Sequence, residues 1–368
     1  MDRRKFVKSA GVAGTAGLLA ACGQSGSSGS ATGTADGAYS QTFNWKMVTT
    51  WPRDLPGLGT GANRLAERVD KMSNGRLKIK VYGGNELVPP LEVFSAVQQG
   101  TAEVGHGAAY YWRGHIQSSL IFTGTPFGMT SAELNGWFYY GGGLELYQKA
   151  YAPHDLVPFP AGNSGPQTGG WFNKEINSVS DLNGLKMRIP GIGGEALTRA
   201  GGTSVNVPGS EVFTALQNGV VDAAEWVGPM NDQQLGLYQA AKYYYYPGWH
   251  EPGSALECLV NKSAWESLPP DLQEIMRVAC QSIVTDMQSE FEAGNGRALQ
   301  QLLDDHNVEL RAFPDDVLAE LKRHTLDIIE DLATRDAVFN ETWTSFKSFK
   351  AQVQQWTDIG ERYILNHR

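Results

Sequence analysis

Cysteine is nearly absent from this chain: Cys22, Cys258 and Cys280 are the three in 368 residues, too few for a disulfide framework. Cys258 sits in an apolar, strand-like run and Cys280 in a helical one. Two buried free thiols fit that placement better than a bridge, which needs a close Cα approach that spacing alone does not show. Positive charge is short as well, with 30 Lys and Arg against 39 Asp and Glu and a net charge of −9. Residues 1 to 21 hold four of the basic side chains and one acidic one, so the chain after them stands near −12. That balance argues against nucleic acid as a partner. Beyond the N-terminus no run is long and apolar enough to span a bilayer. The seven histidines form no His-x-x-x-His pair, and neither a Gly-x-Ser-x-Gly elbow nor a phosphate-binding glycine loop occurs. The common catalytic signatures are therefore missing.

What is present begins with a targeting segment. Asp2-Arg3-Arg4-Lys5-Phe6-Val7-Lys8 has the twin-arginine arrangement, and the mildly apolar stretch Ala10 to Ala21 follows it. Leu19-Ala20-Ala21-Cys22 reads as a lipoprotein cleavage box. The expectation is a signal peptide over 1–21, a lipidated Cys22, and a Gly/Ser/Thr tether over 22–40. The protein is expected outside the cytoplasm, held at a membrane by a lipid anchor. The remaining body of about 330 residues suits one large or two medium domains.

An internal echo suggests how that body is built. Glu92-Val93-Phe94-Ser95-Ala96-Val97-Gln98-Gln99-Gly100 recurs 119 residues later as Glu211-Val212-Phe213-Thr214-Ala215-Leu216-Gln217-Asn218-Gly219. Each copy reads as a short helix, a glycine cap and then a small-residue strand. The period is too long for a solenoid and fits two related α/β lobes. Alternation predicts strands over Phe43–Thr49, Leu77–Tyr82, Trp171–Lys174 and Lys186–Ile189, and a helix over Gly59–Met72. A proline-free helical segment over Asp271–Asp304 would run about 50 Å and could brace both lobes. Helices are also expected over Asp315–Thr334 and Thr342–Asn366, the latter with Phe346, Phe349, Val353, Trp356 and Ile359 as one apolar stripe.

The chemistry concentrates in two segments, Glu225-Trp226-Val227-Gly228-Pro229 and Tyr243 to Glu251. Each places a carboxylate among aromatics, glycine and proline, where bare charge is costly unless a cation or donors receive it. Leu185-Lys186-Met187-Arg188 offers such a cation. These residues point to a pocket for a small anion, with a metal ion as a further candidate. Tyr110, Tyr111 and Trp112 would wall it, interlobe packing being their alternative, and the tyrosines of 243–246 would alternate between core and pocket. An exported metal-dependent lyase or hydrolase using Glu225 and Glu251 as an acid/base pair is the competing reading.

With Gly162-Asn163-Ser164-Gly165-Pro166-Gln167-Thr168-Gly169-Gly170-Trp171-Phe172 added, these motifs resemble the substrate-binding proteins of tripartite ATP-independent periplasmic (TRAP) transporters. The likeness runs from Phe43 onward and is nearest the subgroup for 2-oxo acids and related monocarboxylates. It implies an α/β fold of two lobes with hinge strands, a lobe-bridging helix and C-terminal helices. The lobes would comprise 41–163 with about 255–295, and 164–254 with about 296–341, followed by a C-terminal helix over 342–368. It implies that Arg188 holds the ligand carboxylate while Gln167, Glu225, Glu251 and the Trp226 backbone carbonyl surround sodium or calcium. Two glutamates, a ligand carboxylate and Arg188 leave −1 with a monovalent ion and zero with a divalent one. It also implies membrane permease subunits as partners and a homodimer through the C-terminal helix. Two departures stand out: His250 occupies a position where an aromatic is common, and a lipoprotein box replaces the usual secretion site.

Overall fold

The computed structural model describes residues 41–368; the expected leader, Cys22 and the tether lie outside the described residues. Strands β1 (Phe43–Thr49), β2 (Leu77–Tyr82), β3 (Val104–Gly107), β4 (Leu156–Asn163) and β10 (Ala255–Asn261) form one sheet, in the order β2-β1-β3-β10-β4. A second sheet takes β5 (Gly170–Phe172), β6 (Lys186–Arg188), β7 (Thr203–Val205), β8 (Ala223–Ala224), β9 (Tyr243–Tyr246) and β11 (Glu309–Ala312), in the order β11-β9-β5-β8-β6-β7. The edge strand β2 alternates Leu77 and Val81 inward with Lys78 and Lys80 outward. Charge on its open face discourages pairing with a second chain.

The echo is visible in both sheets. β1 is parallel to β2 and β3, as β6 is to β7 and β8. β10 lies antiparallel between β3 and β4, and β5 does the same between β8 and β9. Helices Val93–Gln98 and Gly209–Gln217 precede β3 and β8. Both close on a left-handed glycine, Gly100 at φ 76° and Gly219 at φ 68°. The same bonds recur at the 119-residue offset: Thr101 N and Ala102 N donate to Ala96 O, and Val220 N and Val221 N to Ala215 O. A residue with a side chain would be strained at either glycine.

The chain passes from one sheet to the other through three segments. Residues 164–169 and 247–254 run side by side, with Ser164 N on Ser254 O at 3.0 Å and Gln167 N on Glu251 O at 3.1 Å. The third is the helix Pro270–Asp305, 36 residues long, or about 54 Å. Its first half packs on β4 and on the helix Leu58–Met72, where Arg64 and Arg68 each meet Asp286 at 2.5 Å. Further along, Asn295 accepts from Met230 N at 3.0 Å. All strands of the first sheet fall within 41–163 and 255–295, and those of the second within 164–254 and 296–341. The long helix is continuous across the boundary expected near 295.

Some expectations are corrected. The last long helix begins at Ala337 rather than Thr342, because the Asp336 side chain caps it by accepting from Phe339 N at 2.7 Å. It stops at Ile359, and Glu361–Leu365 continues after Gly360. The apolar stripe is split: Phe346 is buried edge-on to Trp137 at 5.3 Å, and Phe349 lies on Gly136 and on Gly141, where a Cβ at the latter would collide with it. Trp356 and Ile359 are instead 70% and 72% exposed. Cys258 and Cys280 are buried and free.

Candidate functional site

The site forms where the parallel strands of the second sheet end, the edge at which open α/β sheets bind ligands. β6 and β8 are in register with Arg188 beside Ala224, so the next residue, Glu225, comes level with the guanidinium. Arg188 and Glu225 are each 1% exposed. Arg188 Nη1 pairs with Glu225 Oε1 and also donates to the Glu225 carbonyl at 3.1 Å. Its Nε donates to Val207 O at 3.2 Å and its Nη2 to Tyr111 Oη at 3.3 Å. The guanidinium lies 5.0 Å from the Trp226 ring. Burial alone would weaken its charge, but Glu225 together with Tyr111 and Tyr110 outweighs this and raises the Arg188 pKa.

The crossing segments supply the other groups. Gln167 Nε2 donates to Glu251 Oε2 at 2.7 Å. His250 Nε2 stands 3.3 Å from Glu225 Oε2 without hydrogen-bond alignment, leaving both atoms unpartnered. One ligand atom from each of Glu225, His250 and Glu251 falls within 4.8 Å of the others, and all three residues are buried. Burial raises the Glu251 pKa, with Glu225 adding to the rise and His250 opposing it. Burial would lower that of His250, but Glu225 and Glu251 reverse the shift and raise it.

From the first sheet come Trp51, after β1, and Tyr110 and Tyr111, after β3. With Gln167, Trp226 and Ser254 they enclose about 10 Å³, room for about one water. The two sheets are thus closed upon one another. Arg113 meets Glu195 at 3.0 Å, Asn231 Nδ2 donates to Pro56 O at 2.7 Å, and Trp51 stands edge-on to Trp226 at 6.3 Å.

Buried polar atoms nearly always have partners. Among the described residues fifteen buried side-chain atoms make no aligned hydrogen bond. Six of them gather here: Gln167 Oε1, Glu225 Oε2, Trp226 Nε1, both ring nitrogens of His250, and Ser254 Oγ. No backbone amide among the described residues donates to the Trp226 carbonyl. Unsatisfied oxygens beside two glutamates fit a hard cation and an acid bridging them. A larger groove of about 470 Å³ lies behind Gln167 and Trp249. Two of its cations are already engaged, Lys350 by Phe127 O and Arg362 by Asp358.

All of Gln167, Arg188, Glu225, Trp226, Glu251, Tyr110 and Tyr111 are brought together by the structure. Trp112 is not, since its indole turns into the core and donates to Glu257. The tyrosines of β9 also stay out of the cavity. Tyr244 stacks on Trp171 at 4.1 Å and donates to Asp232 at 2.7 Å, while Tyr245 donates to Ile176 O. Asp232, missed in the sequence, accepts from Trp171 Nε1 at 3.0 Å and Val227 N at 3.3 Å as well. It thereby ties together the backbones carrying Gln167 and Trp226. His250, which replaces a common aromatic and stands directly before Glu251, is brought to the site as well.

Residues 47–336 match the family described as bacterial extracellular solute-binding protein, family 7 (DctP). The chain belongs to this family. It is 42% identical over 98% of its length to a monocarboxylate 2-oxoacid-binding periplasmic protein of Nostoc sp., of which 97% is covered. A TRAP solute-binding protein of Colwellia psychrerythraea with bound calcium and pyruvate superimposes at TM-score 0.87, with 42% identity, over 89% of this chain and 100% of that one. One of Pseudoalteromonas atlantica with sodium and pyruvate gives 0.86 and 40%, over 89% and 99%. The protein is therefore an extracytoplasmic solute-binding component of the TRAP type, and the enzyme reading of Glu225 and Glu251 is set aside.

This solute-binding protein keeps one further buried carboxylate beside the aromatic wall. Glu257, on β10, accepts from Trp112 Nε1, Tyr147 Oη and, at 3.0 Å, Tyr151 Oη. Trp112 continues directly from Tyr110 and Tyr111, so Glu257 anchors that turn. Burial pushes its pKa up to about 7, against the pull of its donors. A carboxyl whose folded pKa is raised stabilises fully below its ordinary value and loses that contribution as pH rises toward 7. Urea unfolding of the wild type and Glu257→Gln at pH 4.5 and 8 should show the wild type losing up to about 3 kcal/mol relative to the variant. Parallel pH profiles would show that Glu257 is not held protonated.

Proposed function

We propose that the protein captures a small 2-oxo or 2-hydroxy monocarboxylate together with sodium or calcium and delivers it to TRAP permease subunits in the membrane. The observation that carries this reading is the gathering of unpartnered buried polar atoms around Arg188, Glu225 and Glu251. Gln167, Glu225, Glu251 and the Trp226 carbonyl would hold the cation, and all are oxygen donors, as such ions require. Bound there, the cation would offset the glutamate charges and accept a carboxylate and a keto oxygen in a five-membered chelate. Arg188 would take the acid's carboxylate, with Tyr110 and Tyr111 as wall. The calcium-pyruvate and sodium-pyruvate relatives support both ligand classes.

Arg188 is engaged by Glu225, so its Nη1 can serve an acid only if Glu225 gains another positive partner. Acid and cation should then bind as one coupled unit, each raising the other's affinity by the same factor. Calorimetry of pyruvate into chelated protein, with choline in place of sodium, should show weak binding that added calcium restores. Equal affinity under both conditions would remove the ion from the account. In the calcium form, Arg188→Lys keeps the charge but loses the planar fork, and should weaken the acid by about 1.5–3 kcal/mol. Wild-type affinity in that variant would remove Arg188 from the site.

The lobes are assigned as 41–163 with about 255–295 and 164–254 with about 296–341, hinged on the paired crossing segments and the long helix. Restraining that hinge with a crosslink across Arg113 and Glu195 should trap bound acid; free exchange would reject this division.

Two attachments complete the reading. Trp356, Ile359, Tyr363, Ile364 and Leu365 are 47% to 72% exposed on the C-terminal helices, and such apolar surface fits a second copy of the chain. Light scattering should show a dimer that Trp356→Glu with Ile364→Glu converts to a monomer, whereas a monomeric wild type excludes the dimer. Cys22 carries the lipid anchor. Cys22→Ser should move the protein from the membrane fraction to the soluble one, and unchanged partition refutes the anchor.

A further inference from the structure

Resting on the cation site just proposed, we infer that His250 is itself a ligand of the ion and shifts the site toward manganese, cobalt or zinc relative to calcium and sodium. His250 is 3% exposed, and both of its ring nitrogens lack partners. Its Nε2 lies 3.3 Å from Glu225 Oε2, another unpartnered atom. Two donors at right angles around an ion, each about 2.2 Å from it, stand about 3.1 Å apart. The contact lacks hydrogen-bond alignment, so both atoms keep a lone pair to offer an ion.

The surroundings hold the ring there. Trp249 N donates to Pro247 O at 2.9 Å, Glu251 N to Gly248 O at 3.1 Å, and Phe127 N to Trp249 O at 2.8 Å, which fixes the backbone on both sides. Trp249 packs edge-on to the imidazole at 5.7 Å. On the opposite side Gly193 leaves room, since a Cβ there would come within 3.0 Å of His250 Cβ.

The chemical consequence follows from donor type. Calcium and sodium take oxygen ligands, whereas imidazole suits first-row transition ions and carboxylate suits manganese. Two glutamates, an amide oxygen and one imidazole form a mixed set. The second ring nitrogen has no carboxylate or carbonyl behind it, and such partners strengthen a metal-bound histidine. The preference should therefore be moderate, about tenfold.

The test titrates chelated protein with Ca²⁺, Mn²⁺ and Co²⁺, with and without pyruvate, in the wild type, His250→Phe and His250→Gln. Circular dichroism reports whether each variant folds. The wild type should bind Mn²⁺ and Co²⁺ over Ca²⁺ by about tenfold more than His250→Phe does. Pulsed electron paramagnetic resonance of the Mn²⁺ form should show a histidine nitrogen coupling in the wild type. That measurement decides the question even if a variant fails to fold. Pyruvate binding with Ca²⁺ but no nitrogen coupling, or one metal ratio across folded variants, overturns the role of His250 and leaves the proposed function standing. Failure of the wild type to bind any cation with pyruvate overturns both.

Discussion

Arg188 and Glu225 form an ion pair at about 1% exposure on neighbouring strand ends, and the site is built around that pair. Removing two charges from water is costly, and either one alone would be strongly destabilising there. Arg188 gives one donor to Glu225 Oε1, and the Glu225 and Val207 carbonyls and Tyr111 Oη take further donors of the guanidinium. The pair leaves one carboxylate oxygen of Glu225 without a partner. That residual demand is what fits the place to the proposed cation and acid rather than to a structural ion pair alone.

The geometry around the pair comes from a doubled architecture. Each sheet places a helix, a left-handed glycine and a short parallel strand in the same order, and each accepts an antiparallel strand arriving from the other half. The crossing segments must then run between the strand ends, and they bring Gln167, His250 and Glu251 there. Closure adds Trp51, Tyr110 and Tyr111 from the opposite side. A site built from two halves in this way can exclude water on closing, which strengthens every electrostatic contact inside it.

Behind the site, buried carboxylates fix the parts that touch it. Asp232 collects Trp171, Tyr244 and the Val227 amide, and burial raises its pKa to about 6. On the other side His106 accepts from Trp51 Nε1 at 2.8 Å and faces Ala161 O at 3.0 Å. Burial lowers its pKa to about 4, so a neutral ring holds Trp51 in place. Polar networks of this kind specify position because any shift would strand a buried donor or acceptor.

Local pattern was enough for much of this protein. Strand alternation located β1 and β2 to the residue, the proline-free periodicity found the long helix within one residue at each end, and the echo announced two related sheets. The unusual segments around Gln167, Arg188, Glu225 and Glu251 singled out residues that the fold does bring together. Tertiary structure alone decided who partners whom. Arg188 meets Glu225 because β6 lies beside β8 in one register, and no pattern within either strand states that register. Trp112 turns to Glu257, and Tyr244 and Tyr245 of β9 turn to the core, because the strands and helices packed beside them supply their partners. Gln167 meets Glu251 because two crossing segments lie side by side. Periodicity is a property of neighbours along the chain, whereas a buried polar group's partner is set by segments that meet only when the whole chain has folded.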